Sequence, residues 1–150
     1  MPFDYFVAAL RCAACGAVSP PDGTTDMQTA LRREARHAYL GVGAAVDTDP
    51  EDFRNADYLS VQDSIPGGEI RILQVWGCRS CGRISNWARI VVKDGLIREI
   101  ASIELTRAEL ERSHYISEED GRTLAAQLTG RPSIEIYGPP VVQILREHLR

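Results

Sequence analysis

The pattern Cys-x-x-Cys-Gly occurs twice in this chain, as Cys12-Ala13-Ala14-Cys15-Gly16 and as Cys78-Arg79-Ser80-Cys81-Gly82. The two copies hold all four cysteines of the 150 residues. Two intervening residues allow both sulfurs of a pair to face one ion, and the glycine that follows suits a tight turn. Two matching pairs with no cysteine left over favour one site with four thiolate ligands. We therefore expect one structural Zn²⁺ per chain, with the ligands Cys12, Cys15, Cys78 and Cys81.

Other chemistry can use the same four cysteines. Iron is the alternative ion, because four thiolates do not exclude it. Two disulfides fit less well without a secretory signal, and a thioredoxin-like dithiol would open a helix, whereas glycine follows each pair here. With sulfur in all four positions the metal has no open place for water or substrate, which indicates structure rather than catalysis.

Each cysteine pair also follows an apolar stretch, at residues 5–10 and 70–76, so each pair is expected at the end of a strand. In this respect the chain resembles the zinc-ribbon and rubredoxin-like families, in which two such knuckles on β-hairpins share one metal. The resemblance covers only residues 12–16 and 78–82 with their flanking strands, and it implies a site and a local fold but no activity. Residues 16–77 separate the pairs, whereas a compact ribbon has roughly 15–20 residues there. We expect either an insertion at residues 17–68 or a ribbon that forms one corner of a larger mixed domain.

The composition indicates a globular chain, which we expect to form one domain over residues 1–150. It is 44% hydrophobic and 25% charged, with a formal net charge of −4. That charge argues against a general nucleic-acid binder, which needs a basic face. The apolar run at 5–10 is too short for a signal sequence, and no stretch reaches the length of a transmembrane helix. We therefore expect a cytoplasmic protein with no membrane partner.

The periodicity of the sequence predicts an α+β fold, with an antiparallel β-sheet (a meander), zinc-ribbon-like knuckles, helices packed on one face and a mainly helical C-terminal third. The meander is expected from strands 69–76, 84–93 and 96–105, because Asp94-Gly95 is a strong hairpin signal. The change of phase within 69–76 predicts a bulge or a strand buried on both faces. Further strands are expected at residues 3–11, 58–61 and 134–137.

Helices are predicted from capping residues and from apolar spacing. Residues 29–38 favour a helix by composition, although Met27, Thr29 and Leu31 also alternate as in a strand. Pro50 suits the first position of a short helical turn. The C-terminal third has three helix starts, at Thr106, at Ser117 and at Pro139-Pro140, and Gly130 is a helix stop. Leu124 and Leu128 mark the expected buried face of the second of these helices.

The candidates for catalysis are weak, and we expect no enzyme. The three histidines, His37, His114 and His148, are separate in sequence, and His114 is the best placed of them. Residues 47–57 hold five acidic groups that could bind Ca²⁺, but a helix start with acids in its first turn explains them better. No phosphate-binding loop or nucleophile elbow is present in the sequence.

The residues around the cysteines suggest how the domain could act. Arg11, Arg79 and Arg83 can offset the charge of a four-thiolate cage, and Trp76 and Trp87 can shield the metal or contact a partner. We expect a protein-interaction domain (an adaptor, an accessory subunit or an immunity-type inhibitor of a basic toxin), with Arg79, Arg83 and Trp87 as possible partner contacts. The alternatives are a metal- or redox-responsive regulator that uses the same cysteines and a nucleic-acid module that uses Arg79, Arg83, Arg89 and Trp87.

Overall fold

The computed structural model describes residues 3–34, 36–63 and 65–150. The described part of the chain forms ten strands: β1 (Asp4–Phe6), β2 (Leu10–Arg11), β3 (Val18–Ser19), β4 (Gln28–Thr29), β5 (Tyr39–Leu40), β6 (Tyr58–Ser60), β7 (Glu69–Trp76), β8 (Asn86–Lys93), β9 (Leu96–Ile103) and β10 (Tyr115–Ser117). It also forms four α-helices: α1 (Pro50–Asn55), α2 (Arg107–Arg112), α3 (Glu118–Thr129) and α4 (Pro139–His148). The predicted α+β class is confirmed.

The central sheet has five strands in the order β6-β10-β7-β8-β9. Strands β7, β8 and β9 are consecutive and antiparallel, so the predicted meander is confirmed. Its second turn is the expected Asp94-Gly95 pair, which takes φ angles of 53° and 76°. Positive φ at both positions is the conformation that a two-residue hairpin turn requires.

Strand β7 is buried on both faces of the central sheet. It pairs with β8 in unbroken register from Glu69 to Trp76, and the register shift lies instead between Val91 and Val92 of β8. Ile72 packs into the core on one face of the sheet and Leu73 into the core on the other. The apolar pattern of residues 69–76 changes phase because the strand is buried on both faces. Of the two predicted explanations, a bulge or two-sided burial, the second is therefore confirmed.

The helices α2, α3 and α4 cover one face of the central sheet, as expected, and their buried side chains join Leu73 and Trp87 in one core. Helix α1 instead contributes Phe53 to the core on the opposite face. The expected cap of α2 is present, since the N–H of Glu109 donates to Oγ1 of Thr106 over 3.2 Å. Ser117 precedes α3 as predicted, but its side chain makes no cap hydrogen bond. None of the described helices is long and apolar enough to cross a membrane.

The buried face of α3 differs from the prediction. Leu128 is 36% exposed and Leu124 is half-buried, whereas Gly121 and Ala125 are buried. A Cβ at Gly121 would lie 3.1 Å from Cγ1 of Val141 in α4. The two helices therefore approach each other over small residues, and the larger leucines lie at the edge of the contact.

The N-terminal region forms a three-stranded sheet in the order β4-β1-β5, and its structure corrects two predictions. The expected helix at 29–38 was wrong. Strands β4 and β5 lie at the two ends of this segment, and none of the described residues between them is helical. Ala35 lies outside the described residues. Met27, Thr29 and Leu31 alternate as in a strand, and all three are buried. Burial of this face favoured the extended conformation more than helix propensity favoured a helix. The expected strand 3–11 is divided into β1, which belongs to this sheet, and β2, which pairs with β3. Neither part pairs with the meander.

Two further differences concern short segments. The predicted strand at 134–137 was wrong, because Ser133–Glu135 is a single 3₁₀ turn. Strand β10 was not predicted, and it pairs with β6 in the antiparallel sense and with β7 in the parallel sense. A strand of three residues between two helices has too few positions for periodicity to reveal it.

A buried chain of hydrogen bonds joins the N-terminal sheet to the central sheet. The hydroxyl of Tyr58 donates to Oε1 of Gln74 over 2.6 Å and lies 3.0 Å from Oγ1 of Thr29. The amide of Gln74 donates to the carbonyl of Gln28 over 2.6 Å. Because Tyr58, Gln74 and Thr29 are all buried, each of these groups depends on its partners.

We expect the substitution Tyr58→Phe to lower the free energy of unfolding by about 1–3 kcal/mol, because Oε1 of Gln74 would remain buried without its donor. Urea denaturation of the metal-loaded protein measures the change. The matched control is Tyr39→Phe, since Tyr39 is 60% exposed, and its effect should stay within about 0.5 kcal/mol. Equal effects of the two substitutions would show that the buried hydrogen bonds do not contribute to stability.

Candidate metal centre

The first cysteine pair forms a tight turn between two antiparallel strands, β2 and β3. The N–H of Cys12 donates to the carbonyl of Ala17, and the N–H of Gly16 donates to the carbonyl of Cys12, each over 2.9 Å. Gly16 has a φ of 75°, a left-handed conformation that a residue with a Cβ adopts at a cost. The guanidinium of Arg11 donates to the carbonyl of Gly16 over 2.7 Å and closes the turn from outside.

The second pair repeats this turn between β7 and β8. The N–H of Cys78 donates to the carbonyl of Arg83 over 2.8 Å, and the N–H of Gly82 donates to the carbonyl of Cys78 over 2.9 Å. Gly82 has a φ of 77°, close to the value at Gly16. The two copies of the sequence pattern therefore adopt the same backbone conformation, each at the end of a hairpin, as expected.

The two turns face each other and bring all four sulfurs together. Every pair of Sγ atoms lies within 4.8 Å, and two of the distances between the turns are 3.7 Å, from Cys12 to Cys81 and from Cys15 to Cys78. A tetrahedral ion with metal–sulfur bonds of about 2.3 Å needs sulfur–sulfur distances of about 3.8 Å. A disulfide would need about 2 Å. The four cysteines can hold one metal ion, as the sequence predicted.

The first cysteine of each turn lies deeper than the second and is surrounded by hydrogen-bond donors. Cys12 and Cys78 are buried, whereas Cys15 and Cys81 are exposed. The backbone N–H of Cys15 lowers the pKa of Cys12 to about 6, and the N–H of Cys81 lowers the pKa of Cys78. Hydrogen bonds of this kind favour the thiolate, which is the form that binds a metal.

Asn86 is a contact of the metal centre that the sequence did not reveal. Its side chain is buried at the start of β8, and Nδ2 lies 3.6 Å from Sγ of Cys12. The amide can therefore donate to that sulfur and hold its orientation. The only indication of this contact in the sequence is the position of Asn86, a polar residue that lies shortly after the second turn, where β8 begins.

The predicted arginine and tryptophan contacts occupy different environments. Arg79 and Arg83 are exposed at the second turn, while Trp76 is 1% exposed and Trp87 is 8% exposed. Trp87 therefore offers little surface to a partner. Arg89, which we had grouped with these residues as a nucleic-acid contact, forms ion pairs with Glu99 and Glu109.

The three histidines do not form a site with the cysteines. His114 is buried beside β7, directly before β10. Its Nδ1 accepts from the backbone N–H of Arg71 over 3.0 Å, and its backbone N–H donates to the carbonyl of Arg71 over 2.9 Å. His37 is exposed beside Tyr5 and Tyr39. His148 is exposed, with Nδ1 3.0 Å from the carbonyl of its own helix at Ile144.

Arg33 forms hydrogen bonds with three acids of the segment 47–57. The guanidinium of Arg33 donates to Asp49 and to Asp52 over 2.8 Å each, and the backbone N–H of Arg33 donates to Asp47 over 2.7 Å. The hydrogen bond from Arg33 lowers the pKa of Asp52. Pro50 begins α1, as predicted, with Asp49 as the cap. The helix-start interpretation therefore accounts for these acids better than a Ca²⁺ site.

No protein-family model, curated protein or solved structure matches this chain. The metal centre is therefore interpreted from its own geometry.

We expect the substitution Cys78→Ser to abolish metal binding and to lower the free energy of unfolding by more than about 5 kcal/mol, which is the upper end for an ordinary core substitution. The reason is that the energy of metal binding is also folding energy. Elemental analysis and urea denaturation, each with and without a chelator, measure both effects. Ser80→Ala, a change within the same turn, is the control and should retain the metal. A stable, metal-loaded Cys78→Ser protein would contradict a shared site.

We also expect His114 to make stability depend on pH. Burial, and then the charge of Arg71, lower the pKa of His114 below its usual 6.5. The unfolded chain therefore takes up the proton first, so this stability is complete above about pH 6.5 and is lost as the pH falls.

The substitution His114→Asn keeps an acceptor for the N–H of Arg71 and removes the titration. Urea denaturation between pH 7 and pH 5 should show a shallower loss of stability in this variant than in the wild type. His148→Asn controls for the loss of an exposed imidazole. Parallel profiles for wild type and His114→Asn would contradict the assignment.

Proposed function

We propose that this chain is a small zinc-stabilised protein-interaction domain. The observation that supports the proposal is the cluster of four sulfurs within 4.8 Å of one another, which would fill the coordination of one ion. Such an ion has no position for a substrate, so its contribution is to folding. In this proposal the metal stabilises the two turns and thereby the surface around them.

The zinc-ribbon resemblance supports zinc as the ion. Both turns connect antiparallel strands, carry glycine in the left-handed conformation after the second cysteine, and repeat the same two backbone hydrogen bonds. In this proposal residues 17–68 are an insertion between the two halves of the ribbon. Elemental analysis of the purified protein should find one zinc per chain, and one iron instead would overturn the choice of ion.

Each turn is followed by one large exposed apolar side chain, and such side chains are available to a protein partner. Val18 is 51% exposed and Ile84 is 79% exposed, and each follows the residue whose carbonyl closes its turn. We call Val18, Ile84 and the exposed Arg79 and Arg83 the knuckle surface. Large apolar side chains exposed beside charged ones are typical of interaction sites. An adaptor or an accessory subunit fits this surface, whereas an inhibitor of a basic protein is supported only by the net charge of −4.

A capture experiment tests the interaction. Immobilised wild-type protein should retain one partner from an extract of the source cells, and the double variant Val18→Ser/Ile84→Ser should retain at least about tenfold less, since such contacts contribute more than about 1 kcal/mol each. The control is Ile134→Ser, because Ile134 is 69% exposed elsewhere. Retention of nothing, or equal retention by the double variant, would overturn the proposal.

A redox-responsive regulator is the second candidate, because one sulfur of each pair is exposed, at Cys15 and Cys81. Exposed thiolates are the ones that peroxide reaches. Mild peroxide should then release the metal reversibly and change partner binding in parallel. Metal that stays bound under peroxide concentrations that oxidise free thiols would exclude this candidate.

A further inference from the structure

Asn86 belongs to the second hairpin, but its side chain reaches a cysteine of the first. It begins β8 directly opposite Trp76, the last residue of β7, and the two residues are 4% and 1% exposed. Nδ2 of Asn86 lies 3.6 Å from Sγ of Cys12, and Oδ1 lies 3.9 Å from the same sulfur. Sulfur is larger than oxygen and its hydrogen bonds are longer, so the nearer contact is an N–H···S hydrogen bond. The amide therefore links the two halves of the metal centre.

Cys12 is the sole hydrogen-bond partner of this buried amide among the described residues. A buried amide without a partner is costly, so the position of Asn86 depends on the cysteine. A thiol at Cys12 can donate to Oδ1, whereas a metal-bound thiolate carries no proton and can only accept from Nδ2. Of the two distances the one from Nδ2 is shorter, so the arrangement suits the metal-binding form of the sulfur.

The first turn has no counterpart of this contact. Pro20 stands at the corresponding position after the first pair of cysteines, and a proline side chain has no donor. The hydrogen bonds that Sγ of Cys78 forms with described side chains are with other cysteines. Of the four sulfurs, that of Cys12 alone has a side-chain amide as a donor among the described residues. The two halves of the centre therefore differ although their turns have the same backbone conformation.

We infer that Asn86 is a positioning residue of the metal centre, which orients Cys12 before the metal binds and donates to its thiolate afterwards. Because the amide is fixed on β8, it holds the sulfur of the first turn towards the second turn even without the ion. The hydrogen bond also stabilises negative charge on that sulfur. Groups that contact a ligand of a metal rather than the metal itself change its affinity by about 10- to 100-fold. The inference rests on the proposed metal-stabilised function and names a residue that sets how tightly the metal is held.

The first experiment observes the hydrogen bond in the wild-type protein. The chain has two asparagines, Asn55 and Asn86, so labelling with ¹⁵N-asparagine gives two side-chain amide groups in the NMR spectrum. In protein loaded with ¹¹³Cd²⁺, a soft ion that thiolates bind, a hydrogen bond to a ligand sulfur transmits a scalar coupling between the amide proton and cadmium. One side-chain amide should show this coupling, and it should be the one that remains in Asn55→Asp. A loaded protein without such a coupling would overturn the inference.

The second experiment measures zinc affinity by competition with a chelator. Asn86→Asp keeps the shape of the side chain but places a carboxylate against the thiolate, and it should weaken binding by at least about tenfold. Asn86→Leu removes the donor without leaving an unpaired amide in the core, and it should weaken binding in the same direction. Asn55→Asp makes the first change at an exposed position of α1 and should leave the affinity unchanged. Equal affinities of Asn86→Asp and Asn55→Asp would contradict the inference.

Cobalt separates an effect on the sulfur from a general loss of stability. The energy of the sulfur-to-cobalt charge-transfer absorption depends on the electron density at the sulfurs, which an N–H donor withdraws. In protein loaded with Co²⁺, Asn86→Leu should move this absorption to longer wavelength. Tyr58→Phe, a destabilising change outside the cysteine turns, should leave it in place. An unchanged spectrum in Asn86→Leu would show that Asn86 does not act on the ligand, against the inference.

The proposed function and this inference fail in different ways. A wild-type protein that binds none of zinc, cadmium and cobalt would contradict the metal centre itself. A protein that binds these ions equally well with and without the amide of Asn86, and shows no coupling to it, would contradict the inference alone.

Discussion

The structure depends on one arrangement, the meeting of four sulfurs from two turns that are distant in sequence. Four thiolates within 4.8 Å of one another would repel strongly in the absence of a cation. Backbone amides stabilise part of this charge, as the lowered pKa values of Cys12 and Cys78 indicate. A metal ion bound by the four cysteines would supply the rest and would close the loop of residues 16–77, which removes more entropy from the unfolded chain than a short loop would.

The remainder of the fold places these two turns side by side. The central sheet is buried on both faces, with three helices on one face and the N-terminal sheet and α1 on the other. Tyr58 and Gln74 join the N-terminal sheet to the central sheet through buried hydrogen bonds. Polar contacts and packing therefore help to place the first turn beside the second.

The amino-acid sequence alone determined the features that depend on local chemistry. The cysteine pairs with their glycines, the hairpin at Asp94-Gly95 and the capped helix α2 were all predicted, because each conformation is specified by residues a few positions apart. Tertiary structure decided the features that depend on distant neighbours. The described residues of the segment 29–38 form no helix because Met27 and Leu31 are needed in the core, and β10 is a strand because β6 and β7 flank it.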